Sequence, residues 1–169
     1  SGLRNANVKF AHLSYDAKDL TPTRDAPKLT INEMGFDAKL GEDFTVHVVR
    51  TNSNAPEDDR ASVAGLTYKS YDSQVPHSFN IYGQYRKLER FSTWYTTFDT
   101  KLFAVASGYN DRTNIGGIKG WEFGANYVLN KNMILNANYF DGENIDGVYE
   151  TNGKPWKDDI YRVTLYCLF

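Results

Sequence analysis

Tyr161-Arg162-Val163-Thr164-Leu165-Tyr166-Cys167-Leu168-Phe169 alternates with a period of two from start to finish. Tyr161, Val163, Leu165, Cys167 and Phe169 fall on one face, and Arg162, Thr164, Tyr166 and Leu168 on the other, because successive side chains of a strand point to opposite sides. The strand runs to the last residue, so an aromatic side chain carries the terminal carboxylate. A soluble domain seldom stops mid-strand on an exposed Phe. Such an ending is expected where a last strand closes a barrel and its ring sits at an interface.

Working back from that strand, the same alternation recurs between clusters of turn residues, and helical periodicity is nearly absent. The segments are residues 6–15, 30–40, 44–52, 61–71, 77–87, 117–129, 132–141 and 158–169. They predict about eight strands, most of about 9–12 residues, which spans the length of a membrane β-strand. The 169 residues suffice for one domain or a piece of one. Mean hydropathy is −0.56, and no apolar run approaches the ~18 residues that a membrane helix needs. Alternating strands average out as polar, so a membrane barrel stays open. With net charge −2 and pI about 5.9, no basic field invites nucleic acid. The single Cys167 forbids an internal disulfide and fits no zinc pattern.

Link lengths alternate too. Asp16 to Leu29 is long and polar, Gly41-Glu42-Asp43 is tight, and Asn52 to Arg60 is longer again. Asp72 to Pro76 is short, Leu88 to Gly116 very long, Asn130-Lys131 minimal, and Gly142 to Lys157 long. Short turns at one end and long loops at the other are how an outer-membrane barrel is organised, with both chain ends on the short-turn, periplasmic side.

The faces give a third line. Met34, Phe36, Ala38 and Leu40 alternate with Glu33, Gly35, Asp37 and Lys39; Trp121, Phe123, Ala125, Tyr127 and Leu129 oppose Gly120, Glu122, Gly124 and Asn126. In the first strand Val8, Phe10 and His12 share a face opposite Leu13 and Tyr15, which predicts a bulge. An apolar face turned inward would make a soluble, lipocalin-like barrel. Turned outward, it makes a transmembrane barrel with a polar lumen. Aromatics near strand ends (Phe44, Tyr68, Phe79, Tyr85, Trp121, Tyr127, Tyr139, Tyr161, Phe169) favour the second, as an interfacial girdle. So does an opposite face rich in Gly, Asn and charge.

The segment Gly117-Ile118-Lys119-Gly120-Trp121-Glu122-Phe123-Gly124-Ala125-Asn126-Tyr127-Val128-Leu129-Asn130-Lys131-Asn132-Met133, continuing to Asn138-Tyr139-Phe140-Asp141, resembles the penultimate hairpin of Gram-negative porins. It is most similar to porins that carry an N-terminal S-layer-homology domain, although no such domain is present here and Cys167 is unusual in a last strand. The ending at Phe169 is similar to the signal read by the barrel assembly machinery. The resemblance implies an all-β, antiparallel up-and-down transmembrane β-barrel in the bacterial outer membrane: a trimeric, water-filled diffusion pore of about sixteen strands. This chain then supplies the C-terminal half; the alternative is a complete eight-stranded barrel with a structural or adhesion role. Eight strands leave an interior filled by side chains, whereas sixteen leave a channel.

Pore-lining candidates follow from the polar faces: Glu33, Asp37, Lys39, His47, Lys69, Arg86, Glu122, Asn126, Asn136, Asn138 and Arg162. In a wide pore their mixed charges set up a field across the lumen that orients polar solutes. The loop 88–115, with Arg90 to Phe98 and Lys101 to Val105, is too apolar for a loose surface loop; a constriction, a latch on a neighbouring copy and an external hairpin all fit it. His12, His47 and His77 have no nucleophile–base spacing, so no enzyme is expected. Asp141-Gly142-Glu143-Asn144-Ile145-Asp146-Gly147 lacks the spacing of a calcium loop. Cys167 reads as a small apolar residue. No metal or cofactor is expected; the expected partners are the bilayer, the assembly machinery and further copies of the chain.

Overall fold

Alternating stretches separated by short turn-forming links favour strands that pair with their neighbours in sequence. The computed structural model describes residues 3–15, 29–89, 92, 117–145 and 157–168. In it β1 (Leu3–Tyr15), β2 (Leu29–Leu40), β3 (Phe44–Ser53), β4 (Arg60–Tyr68), β5 (Phe79–Leu88), β6 (Ile118–Asn130), β7 (Met133–Asn144) and β8 (Lys157–Cys167) form one sheet, antiparallel throughout and ordered β1 to β8. The sheet is open: among the described residues β1 pairs only with β2, and β8 only with β7. Phe169 and most of the loop 88–115 lie outside the described residues.

Several boundaries differ from the sequence expectation, each for a local reason. β4 stops at Tyr68 because Lys69 turns left-handed (φ 60°) and its N–H bonds the Asp43 carbonyl at 2.5 Å. β5 starts at Phe79 because His77 is also left-handed (φ 67°), though its N–H still reaches the Val128 carbonyl at 2.8 Å. The tight turn before β7 is Lys131-Asn132, with Asn132 at φ 65°, one residue later than the spacing implied. Asn is among the residues that tolerate this conformation. β7 runs on to Asn144. The irregularity in β1 lies between Arg4 and Asn7, with Asn5 at φ 50°, while Val8 through Tyr15 pair regularly with Phe36 through Leu29. His12 and Leu13 are simply neighbours on opposite faces.

The β4–β5 link folds over the β6–β7 turn. The Asn132 N–H bonds the Ser73 carbonyl (2.7 Å), Gln74 Nε2 bonds Asn132 Oδ1 (2.5 Å), and the Leu168 N–H bonds the Asn132 carbonyl (2.9 Å). One end of β4 through β8 is thereby tied together.

Burial separates the two faces in an unusual sense. Ile31, Thr51, Ala61, Leu88, Ile118, Glu122, Val128, Ile134, Asn136, Phe140 and Asn144 are buried, and the register places all of them on the face that carries Glu33, Asp37 and Arg86. The opposite face holds Phe10 (76% exposed), Trp121 (51%), Tyr161 (76%) and Val163 (71%). Small Ala38 is its one buried hydrophobic residue in the described set. Side chains converge on one face and splay on the other, so the sheet curls toward its polar face. Apolar contacts gather at the ends of the inner face, Ala61-Leu88-Ile118 above and Val128-Ile134 below, and leave its middle polar.

Candidate functional site: a polar seam on the inner face

Register brings Asp37, His47, Gly65, Gln84, Glu122 and Phe140 into one cross-strand row on β2 to β7. Glu122 is its centre. The carboxylate accepts hydrogen bonds from Tyr82 Oη at 3.0 Å and Gln84 Nε2 at 2.9 Å, and pairs with the Arg86 guanidinium. Because an ionised carboxylate only accepts, the Gln84 amide must present its nitrogen to Glu122 and its oxygen the other way. That oxygen meets His47 Nε2 at 3.1 Å, so the histidine donates there and the polarity of the chain is fixed.

Two glycines make this chain possible. A Cβ on Gly65 would lie 2.6 Å from both the His47 ring and Gln84 Cβ, so only glycine lets side chains of β3 and β5 meet across β4. At Gly124 a Cβ would stand 2.4 Å from the Tyr82 ring, which uses that space to lean toward Glu122. Both glycines face the inner side, where alternation alone would have placed an ordinary residue.

Arg86 and Glu122 are well shielded, with side chains 18% and 11% exposed. The guanidinium carbon lies 5.5 Å from the Phe140 ring centroid, a cation–π contact. Its Nε is the one buried side-chain N or O among the described residues without a hydrogen-bond partner. Below this cluster runs an amide ladder: Asn126 Nδ2 donates to Asn80 Oδ1 and Asn136 Nδ2 to Asn126 Oδ1, both at 2.9 Å. Amides that give and accept along a row satisfy one another without fixed charge. On β2 a separate group forms, with Asp37 accepting from Asn7 at 2.8 Å and pairing with Lys9 at 2.9 Å.

Of the candidates named from sequence, Glu33, Asp37, Lys39, His47, Arg86, Glu122, Asn126, Asn136, Asn138 and Arg162 occupy the inner face. His47, Arg86 and Glu122 join one network, and Asn126 and Asn136 another. Asn138 and Arg162 stand directly opposite each other on β7 and β8. Glu33 and Lys39 are exposed and outside both networks. Lys69 leaves the seam: its Nζ lies 4.9 Å from the Phe79 ring and 5.4 Å from Tyr68, on the outer side. Tyr82, Lys9 and Phe140 are seam members that sequence reasoning passed over, although counting by twos from Gln84 reaches Tyr82.

At the upper end the chain after β5 turns onto the inner face. Buried Ser92 offers its carbonyl to Thr51 Oγ1 at 2.9 Å and donates to the Glu89 carbonyl. Glu89 itself accepts from Lys87 Nζ (2.9 Å) and the Arg60 N–H (3.0 Å). Burial pushes the Glu89 carboxyl up, but those two donors outweigh it and hold the group below the ordinary carboxylate range.

The eight described aromatic girdle candidates all lie on the outer face, at two levels. Phe44, Tyr68 and Phe79 make a chain of ring contacts (5.1 and 6.4 Å) near the short turns, with Tyr127 beside them bonded to His77. Tyr85–Trp121 (5.3 Å) and Tyr139–Tyr161 (4.6 Å) form the other level. Among the described residues no group of three or more His, Cys, Asp or Glu could hold a metal, and Cys167 is exposed and unpaired. No family model and no curated protein matches the chain.

Proposed function

We propose that this sheet is part of an outer-membrane β-barrel pore through which small polar solutes and ions diffuse passively. The observation that carries this is the inversion of burial: Glu122 and Asn136 are shielded on the concave face while Trp121, Tyr161 and Val163 are exposed on the convex one. Exposed apolar surface on this scale supports an apolar surrounding, since large patches are rare on soluble monomers. Charge bounds the convex face. Arg50, Ser62, Lys87, Lys119, Glu143 and Lys157 form a continuous cross-strand row just above the aromatic residues of β5 and β6. On β6 the stretch between Lys119 and Lys131 corresponds to roughly 40 Å along the strand. At the usual barrel tilt of about 40° that gives a height of roughly 30 Å, the thickness of a bilayer's hydrocarbon core.

The concave face suits passage rather than capture. Lys9, Lys39, Arg86 and Arg162 nearly balance Glu33, Asp37 and Glu122, which implies weak ion preference and oriented passage of dipolar solutes. Ser92, anchored to Thr51, brings the start of the loop 88–115 over the mouth of this face, which supports a constriction. In this reading further strands would close the barrel across the free edges of β1 and β8, and copies of it would associate as trimers.

Refolding into planar bilayers tests the reading. Stepwise ohmic conductance with weak ion preference is expected. A silent but inserted and heat-modifiable protein would instead favour a filled eight-stranded barrel, a reading supported by the buried Leu88, Val128 and Phe140 of the inner face. A protein soluble without detergent would end both.

A further inference from the structure

The chemistry of the inner face is sorted by height. Glu33, Asp37, Arg86 and Glu122 occupy its upper rows, whereas a row near the short turns reads Asn80, Asn126, Asn136 and Thr164 on β5 to β8. The row directly above holds Thr45, Thr67 and Tyr82 and is neutral from β3 to β7, with Lys39 and Arg162 at its two margins. Asn136 Nδ2 faces both Asn126 Oδ1 (2.9 Å) and the Ala125 carbonyl (3.5 Å), which fixes its amide orientation and with it that of the whole ladder. The ladder is therefore polar, with Asn80 Nδ2 as its donor end and Asn136 Oδ1 as its acceptor end. Among the described residues neither end has a hydrogen-bond partner, and neither is a buried orphan, so both stay accessible on the concave face. The donor end is left open because β4 stops at Tyr68, level with Ile81, and Lys69 departs to the outer face.

We propose that this belt is a subsite for neutral, polyhydroxylated solutes of the saccharide class. A hydroxyl both donates and accepts, so it satisfies either end of the ladder. A carboxylate fits only the donor end, and an ammonium only the acceptor end. Hydrogen bonds in a row polarise one another, which strengthens the two free ends. Thr164, facing inward beside Asn136, continues the row with a hydroxyl of its own. Because the ladder holds no fixed charge, binding stays weak enough for release, and a solute with several hydroxyls moves along the row by exchanging one partner at a time. The inference rests on the pore reading above.

The test uses the whole chain in planar bilayers, with maltotriose and an oligoethylene glycol of the same mass added separately. The glycol excludes a similar volume, but its ether oxygens only accept and give nothing to the ladder's acceptor end. Maltotriose is expected to block the current in a saturable way, at a concentration about five-fold lower than the glycol, the worth of about one neutral hydrogen bond. Asn80→Leu removes the donor end and should raise the half-blocking concentration of maltotriose about five-fold, leaving that of the glycol where it was. Thr164→Val leaves the ladder intact and should shift the maltotriose value in the same direction, so a misfolded Asn80 variant does not hide the answer. Equal block by the two solutes, or a maltotriose block that survives both substitutions, would overturn the inference while the conductance itself upholds the pore. A stronger block by an anionic saccharide of the same size, abolished by Arg162→Gln, would overturn it in favour of capture by charge. A silent but inserted protein would overturn both the inference and the pore reading.

Discussion

Val163→Arg separates an apolar solvent from water on the convex face more sharply than any other single change. Val163 is 71% exposed and lies in a row with Ile81, Ala125 and Ala137. On β8 it stands four residues from Asp159, where charge begins. That is roughly 13 Å along the strand, or about 10 Å of depth at a tilt near 40°. An apolar band about 25 Å tall has its midplane about 12 Å below the edge, so Val163 sits close to it. A cation there costs about 2–4 kcal/mol in lipid. In water, the same exposed position would cost no more than about 0.5 kcal/mol. Thr164, one residue on and facing inward opposite Asn136, is the internal control: Thr164→Arg should cost less than about 1 kcal/mol where the lumen is wet. Both values come from reversible urea unfolding of the protein in vesicles, followed by tryptophan fluorescence. Should Val163→Arg cost under 0.5 kcal/mol, or Thr164→Arg cost the more of the two, the assignment of lipid to the convex face is wrong.

Glu122→Gln keeps the shape of the seam but leaves the Arg86 guanidinium without its counter-charge; we expect a loss of about 3 kcal/mol, in the range for breaking a shielded ion pair, measured by the same unfolding assay. It should also shift reversal potentials toward anions, because a positive charge is left in the seam. Gly124→Val fills the space the Tyr82 ring uses and is expected to cost about 1–3 kcal/mol, with little further loss when Tyr82→Phe is added. Glu89 provides a pH signature. Its carboxyl is depressed in the folded state, so its stabilisation is complete above the ordinary Glu value and vanishes as pH falls through the lower folded value. The stability difference between wild type and Glu89→Gln, followed by urea titration, should therefore be constant near neutrality and close only in acid below about pH 4.

The eight strands were legible because alternation and turn residues are local signals, and pairing between neighbours in sequence adds little that is not local. The faces were legible for the same reason: Glu122, Asn126 and Arg86 could be placed by counting in twos. The missed features share a different cause, in that each depends on an atom several residues away in three dimensions. Lys69 alternates with Tyr68 and so looked inward-facing, but its left-handed backbone carries it out of the ladder to the Phe79 ring. Tyr82 falls on the inner face by counting in twos, but only the missing side chain on Gly124, 42 positions later, shows where its ring can go. His47 and Gln84 sit on strands that do not pair, and Gly65 between them is what permits contact. Strand patterns thus specify which side a residue faces, while the glycines of that side specify which residues touch. In this sheet the inner glycines therefore carry the information about the site, and a change at Gly65 or Gly124 should rearrange the seam more than a change at exposed Glu33 or Lys39.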